Sequence, residues 1–141
     1  MALKMTIAEL TSFISAVFPQ VEGDFSIEAL DEDRLTAKLH VSERHLRPGG
    51  TVSGPSMFGL ADVTAYFMTL ARIGPQALAV TTNCSIDFMR KPEADKDLIA
   101  EARLLKLGRS LSVTDVLIFS EGQDKPVARA SLTYSIPPVP K

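Results

Sequence analysis

Residues Pro48 to Ala71, PGGTVSGPSMFGLADVTAYFMTLA, decide how the rest of the chain is read. These 24 residues hold one ionisable acid or base, Asp62. Everything else in the run is apolar, small, hydroxylic or, at Tyr66, phenolic. Pro48, Gly49 and Gly50 punctuate its start, and Ser53 then offers an N-cap with Gly54 and Pro55 in the first helical turn. Proline fits there because the first N–H groups of a helix lack intrahelical partners. From Met57 onward, Phe58, Leu60, Ala61, Val63, Ala65, Phe67, Met68 and Leu70 fall on all sides of a helical wheel, which predicts a buried helix. An unpaired carboxylate on such a helix costs several kcal/mol, so Asp62 needs a partner, solvent access or a chemical task. Arg47 and Arg72 are the cations nearest in sequence that could pair with it.

Outward from this run the composition is that of an ordinary soluble domain. The 141 residues fit one domain, long enough to bury roughly two-thirds of the surface of the unfolded chain. A net charge of −2 speaks against an electrostatic nucleic-acid binder. The single cysteine, Cys84, excludes an intramolecular disulfide, and His40 and His45 have no ligand-spaced partners, so no metal is expected. Residues 1–18 lack the features of a signal peptide, and no apolar run is long enough to span a membrane. A soluble, cytoplasmic protein is expected.

Before the central run, Thr6 can cap an amphipathic helix over residues 6–18, with Ile7, Leu10, Phe13 or Ile14, and Val17 at helical spacing. Pro19 ends it. Phe25–Leu30 reads as a strand, Asp31–Asp33 as a turn, and Leu35, Ala37, Leu39 and Val41 alternate with polar residues in a second strand, so the pair forms a hairpin. After the central run, Arg72, Ile73, Gly74 and Pro75 form a helix stop. Three strand-like segments follow. In residues 78–90, period two puts Val80, Thr82, Cys84, Ile86 and Phe88 on one face and Thr81, Asn83, Ser85 and Asp87 on the other. The second covers about 98–107, and the third, Leu111–Phe119, alternates Leu111, Val113, Leu117 and Phe119 with Ser112 and Thr114. Gly108 marks a turn or bulge between them, Val127–Ile136 is the last strand, and residues 137–141 form a proline-rich tail. The order is that of an α+β domain in which one antiparallel sheet covers one buried helix. Such a sheet leaves edges and a face open, which predicts a homo-oligomer.

The runs GTVSGPSMFGLAD (50–62), TTNCSIDFMRKP (81–92) and LGRSLSVTDVLIF (107–119) resemble the hotdog-fold thioesterases of the PaaI/acyl-CoA thioesterase type. The resemblance covers roughly residues 25–136. It implies an antiparallel sheet wrapped around a central helix, and hydrolysis of an acyl- or aryl-CoA. Coenzyme A then enters only as part of the substrate, and no separate cofactor is implied. By the same resemblance Asp62 matches the helix carboxylate that acts as general base or nucleophile. Gly54 matches the glycine whose N–H polarises the thioester carbonyl, and Thr81 a strand hydroxyl that positions water. Ser53 and Arg47 stand at the loop, and Arg90, Lys91 and Arg109 at strand ends would meet the phosphates of coenzyme A. A homodimer or homotetramer with sites at the subunit interface is implied.

The loop departs from the family pattern. Ser53-Gly54-Pro55 stands where many members carry His-Gly-Gly, so one histidine and one N–H donor are missing, and Arg47 stands in place of an asparagine. A lost oxyanion donor typically costs about 10²–10³-fold in rate. A non-catalytic acyl-CoA-binding module is therefore the second reading. A hydratase or dehydratase that pairs His45 with Asp62 is the third, and a Ser53–His45–Asp62 triad lacks the nucleophile-elbow motif.

Overall fold

The computed structural model describes residues 3–138. Pro140 and the end of the proline-rich tail lie outside them. The first helix, α1, spans Ile7–Val17. Thr6 caps it reciprocally, its hydroxyl accepting from the Glu9 N–H while the Glu9 carboxylate accepts from the Thr6 N–H. A 3₁₀ turn at Pro19–Val21 leads into the hairpin of β1 (Phe25–Leu30) and β2 (Arg34–Leu39). The second strand ends at Leu39: the His40 N–H still reaches the Asp24 carbonyl opposite it, but the Val41 N–H donates to the Asp97 carboxylate instead of a ladder partner.

The central helix, α2, spans Gly54–Ile73, with Ser53 as N-cap and Gly74 beyond its end at φ +95°. That left-handed value is one that glycine reaches at no steric cost. Many of its residues (Val63, Thr64, Tyr66, Phe67, Thr69) are mediocre helix formers, each about 0.7 kcal/mol or less below alanine. Burial outweighs this. Leu60, Met68 and Leu70 have no exposed surface and Phe67 only 2%, and burying such a side chain stabilises by about 1.5–3 kcal/mol. The wheel is not covered all round, however. Pro55 and Phe58 are exposed and Gly59 and Asp62 half-buried, a stripe at helical spacing that the sheet leaves open.

Strands β3 (Val80–Phe88), β4 (Leu98–Leu107), β5 (Leu111–Ser120) and β6 (Ala128–Ser135) complete one antiparallel sheet in the order β1-β2-β4-β5-β6-β3. Strands β2 to β6 all pack against α2. This is the hotdog arrangement of a sheet around one helix. Two details differ from the sequence reading. On β5 the face that turns inward carries Ser112, Thr114, Val116, Ile118 and Ser120, while Leu111 and Leu117 face out. The polar inward positions are tolerated in part because the Ser112 and Thr69 hydroxyls bond each other at 2.9 Å.

The second difference is on β3. Thr81 pairs with Tyr134 and Asn83 with Thr133, so Thr82 is an extra residue, a bulge whose hydroxyl donates to the Thr133 carbonyl at 3.3 Å. Strict alternation would set Thr81 against Cys84 and Ile86. The bulge instead puts all three on the helix side, opposite the buried Tyr134, Leu132 and Ala130.

Candidate active site

Asp62 lies two turns into α2, half-buried, and its partners are hydroxyls rather than cations. Thr81 Oγ1 donates to Asp62 Oδ1 at 2.5 Å and Tyr134 Oη donates to the same oxygen at 2.7 Å. Tyr134 Oη also lies 3.0 Å from the Asp62 backbone carbonyl. Among the described residues no donor meets Oδ2. Neither Arg47 nor Arg72 pairs with the acid; Arg72 donates to the Glu32 carbonyl at the other end of the helix. Burial first, and then the charge of Asp62, push the Tyr134 phenol far above its ordinary range, so this hydroxyl stays protonated and can donate to the acid. Burial and then the same charge raise the Cys84 thiol, which packs against the core as its residue type suggests.

Tyr134 is the residue the sequence reading missed. A signal was present: Leu132, Tyr134 and Ile136 fall on one strand face, and a buried tyrosine needs a partner for its hydroxyl. What the pattern lacks is the long-range pairing that brings β6 beside β3 and both beneath Asp62.

At the helix N-terminus the free donors can be counted. Ser53 N–H donates to the His45 carbonyl at 2.8 Å, Ser56 N–H to Ser53 Oγ at 3.2 Å, and Pro55 has no N–H. Gly54 N–H is therefore the one first-turn donor without a protein acceptor among the described residues, at the positive end of the helix dipole. Gly54 also neighbours the end of β3. A Cβ there would stand 3.4 Å from the Phe88 ring, an ordinary contact, which places the end of β3 against the helix start.

The other predicted residues fall around this helix without converging. Ser53 Oγ is occupied as the cap and donates to Ser56 Oγ at 3.0 Å. Arg47 is exposed on the loop, its N–H bonded to the Thr51 carbonyl. Arg90 and Lys91 are exposed just past Phe88, at the Gly54 end of β3, where Arg90 Nη1 donates to the Pro126 carbonyl. Arg109 projects from the β4–β5 turn, beyond the strand ends that carry Thr81 and Tyr134. One chain thus sets Arg109 at the Asp62 end and Arg90 and Lys91 at the other. His45 is buried with its ring turned away from Asp62. Its Nδ1 accepts from the Ser42 N–H at 2.9 Å and its Nε2 lies 3.7 Å from Asp24. No His45–Asp62 pair or Ser53–His45–Asp62 relay forms in this chain.

Beside Asp62 opens a cleft of about 260 Å³. Its walls are Val17 and Phe18 at the end of α1, Val63 and Tyr66 of α2, Ala77 and Ala79 of the loop into β3, and Val80 at the start of that strand. Asp62, Thr81 and Tyr134 are its polar members. A larger concavity, about 790 Å³, lies on the opposite face of the sheet. Charged and hydroxylic side chains from several strands line it, and among them Arg129 pairs with Asp87 at 2.8 Å. The smaller cleft is where an acid, hydroxyls and an apolar wall meet, and the chemistry points there.

Comparison with known proteins agrees with this fold. The family model of the thioesterase superfamily matches residues 49–127, which include both Gly54 and Asp62. The chain belongs to the thioesterase superfamily. A crystal structure of a candidate thioesterase from Silicibacter sp. TM1040 is 60% identical, covering 98% of this chain and 96% of that one with a TM-score of 0.92. The phenylacetic acid degradation protein PaaI of Thermus thermophilus is 27% identical, covering 83% of this chain and 97% of its own at a TM-score of 0.71. A candidate esterase of Pseudomonas aeruginosa is 29% identical over 126 residues, 89% of this chain and 92% of that protein. As a thioesterase-superfamily member the chain is a hydrolase of thioesters in class. No helix of its described residues is long and apolar enough to cross a membrane.

Proposed function

We propose that this thioesterase hydrolyses an acyl- or aryl-CoA to the free acid and coenzyme A, with Asp62 as the acid that drives the reaction. The observation that carries the reading is a carboxylate held by two neutral hydroxyls at the mouth of an apolar cleft. No cation among the described residues pairs with it, and its second oxygen is open to take a proton from water or to attack a carbonyl. As general base it accepts a proton from water while the water oxygen bonds to the thioester carbon. The carbonyl π electrons move to oxygen, and Gly54 N–H stabilises that oxyanion. Collapse then breaks the C–S bond, and the proton passes from Asp62 to the departing sulfur. The cleft takes the acyl group. At about 260 Å³ it lies just below the roughly 300–1,000 Å³ of pockets for drug-sized ligands, which favours a short chain or a single ring.

Gly54 and Asp62 of one chain cannot act on the same carbonyl. They are eight residues apart on a helix that rises about 1.5 Å per residue, hence about 12 Å apart along the axis. A carbonyl with about 3 Å to its donor and about 3 Å to its attacking group spans far less. The site is therefore assembled from two copies, the Gly54 end of one beside Asp62 of the other. The same pairing unites Arg90 and Lys91 of one copy with Arg109 of the other, where the phosphates of coenzyme A would lie. The unpaired edge of β3 and the open stripe of α2 support a homodimer, with a homotetramer as its larger form.

Thiol release from short, long and aromatic acyl-CoAs, with wild type beside Asp62→Asn, tests the reading. Turnover that collapses in the variant while fold and oligomer persist supports it. Tight acyl-CoA binding without turnover favours instead the non-catalytic module, a second reading kept by the Ser53-Gly54-Pro55 loop, which offers a single free N–H.

A further inference from the structure

The two oxygens of Asp62 have different surroundings. Oδ1 accepts from both Thr81 and Tyr134, while Oδ2 has no donor among the described residues. The two donors share an origin in the sheet, since Thr81 and Tyr134 are directly paired residues of β3 and β6. The Thr82 bulge lets Thr81 face the helix while Cys84 and Ile86 still do so. Tyr134 is 4% exposed, and its ring lies against Tyr66 with centroids 5.8 Å apart. Tyr66 is anchored in turn by its hydroxyl, which donates to the Ala77 carbonyl at 3.0 Å. Tyr134 Oη touches both the side chain and the backbone of Asp62, so it restrains the rotation that would exchange the two oxygens.

We propose that Tyr134 is a positioning residue that, together with Thr81, pins Oδ1 and leaves Oδ2 as the oxygen of Asp62 that reacts. The inference rests on the reading of Asp62 as the reacting acid and adds which of its atoms does the work. It holds whether Oδ2 takes a proton from water or bonds directly to the acyl carbon. In both cases the pinned oxygen directs the free one at the cleft, and two donors offset the charge when the acid is ionised. The titratable groups that face Asp62 are Tyr134 from β6, Cys84 from β3 and Tyr66 along its own helix. No cation is among them, so the hydroxyls are the groups that stabilise its charge.

The test measures kcat, KM and the pH profile of thiol release from benzoyl-CoA and hexanoyl-CoA. It compares wild type, Tyr134→Phe, Thr81→Val, Thr81→Ser and Asp62→Asn. A hydrogen bond to a charged group contributes enough that losing one lowers kcat about tenfold. Tyr134→Phe and Thr81→Val each show that loss with KM within about twofold of wild type. In both, the pH at which activity falls on the acid side rises by about one unit. Thr81→Ser, which keeps the hydroxyl, restores the wild-type profile. A purely structural tyrosine would lower Tm and the active fraction but leave the pH profile in place. Wild-type kcat and profile in Tyr134→Phe, with Asp62→Asn inactive, overturn the inference and leave the thioesterase reading standing. If Tyr134→Phe does not fold, Thr81→Val decides: an unchanged kcat and pH profile overturn the inference. Full activity in Asp62→Asn, or no turnover by wild type, overturns both.

Discussion

Asp24 and Asp62 each carry a carboxylate into the body of the protein, but their partners differ in charge. Asp24 is 6% exposed, paired with the Arg44 guanidinium and 3.7 Å from His45 Nε2. It sits where β1 begins, and its carbonyl receives the His40 N–H, so it ties together the ends of the first hairpin. Asp62 is less buried, and its donors are a threonine and a tyrosine on one oxygen only. An arginine neutralises the acid it binds, whereas neutral hydroxyls fix an acid and leave its charge in place. Burial alone would rank Asp24 as the unusual group. Partner chemistry reverses the order.

The largest effect that sharpens this contrast is expected at Asp62. Asp62→Asn keeps shape and loses the charge, and thiol release from the best acyl-CoA falls by about 10²–10⁴-fold, with Tm within a few degrees of wild type. At Asp24 the pattern inverts. Asp24→Asn removes the charge that Arg44 binds and costs about 1–3 kcal/mol of stability, read as a fall in Tm of several degrees. Its kcat per folded molecule stays within about twofold of wild type. If Asp24→Asn lost turnover as Asp62→Asn does, without loss of stability, the contrast would be broken.

A smaller effect concerns pH. Burial, and then the Arg44 guanidinium, hold the His45 imidazole below its ordinary value of 6.5. The nearby Asp24 carboxylate would pull the other way, but Arg44 occupies it. The unfolded chain thus binds this proton before the folded one does. The stability that neutral His45 contributes is complete above about pH 6.5 and is lost as pH falls from there through the lower folded value. Thermal melts at pH 7.5 and 5.5 should show this acid loss reduced in His45→Asn, whose amide oxygen can still accept from the Ser42 N–H. The smallest effect is at Cys84, whose thiol is raised by burial and then by Asp62. Asp62→Asn removes the second cause, so alkylation by iodoacetamide at pH 8 should quicken about two- to threefold.

The elements whose signals are local were legible in the sequence. Thr6 with Pro19, Ser53 with Pro55, and Gly74 with Pro75 set the helix ends within one residue, since caps and stops are written in neighbouring residues. The strands were legible as segments, and Asp62 stood out because it was alone in an apolar run. What escaped was non-local. Tyr134 lies 72 positions from Asp62 and reaches it only through the β3–β6 pairing. The inward face of β5 was hidden because Ser112 has its partner on α2, so polarity gave the wrong side. Asp24 drew no notice at all, because its partner Arg44 is reached by the chain turning back after β2. Thr81 was singled out only through the resemblance, and its strand face was misread by one step.

That single step reaches past this molecule. At Thr82 the strand holds one residue more than its ladder. A relative with a straight strand here would be one residue shorter and would still present a hydroxyl opposite the same tyrosine position. Transfer of site residues from such a straight strand must therefore open a one-position gap at Thr82. Against such a strand, a gapless alignment would pair the hydroxyl that holds the acid with a side chain that faces away from it.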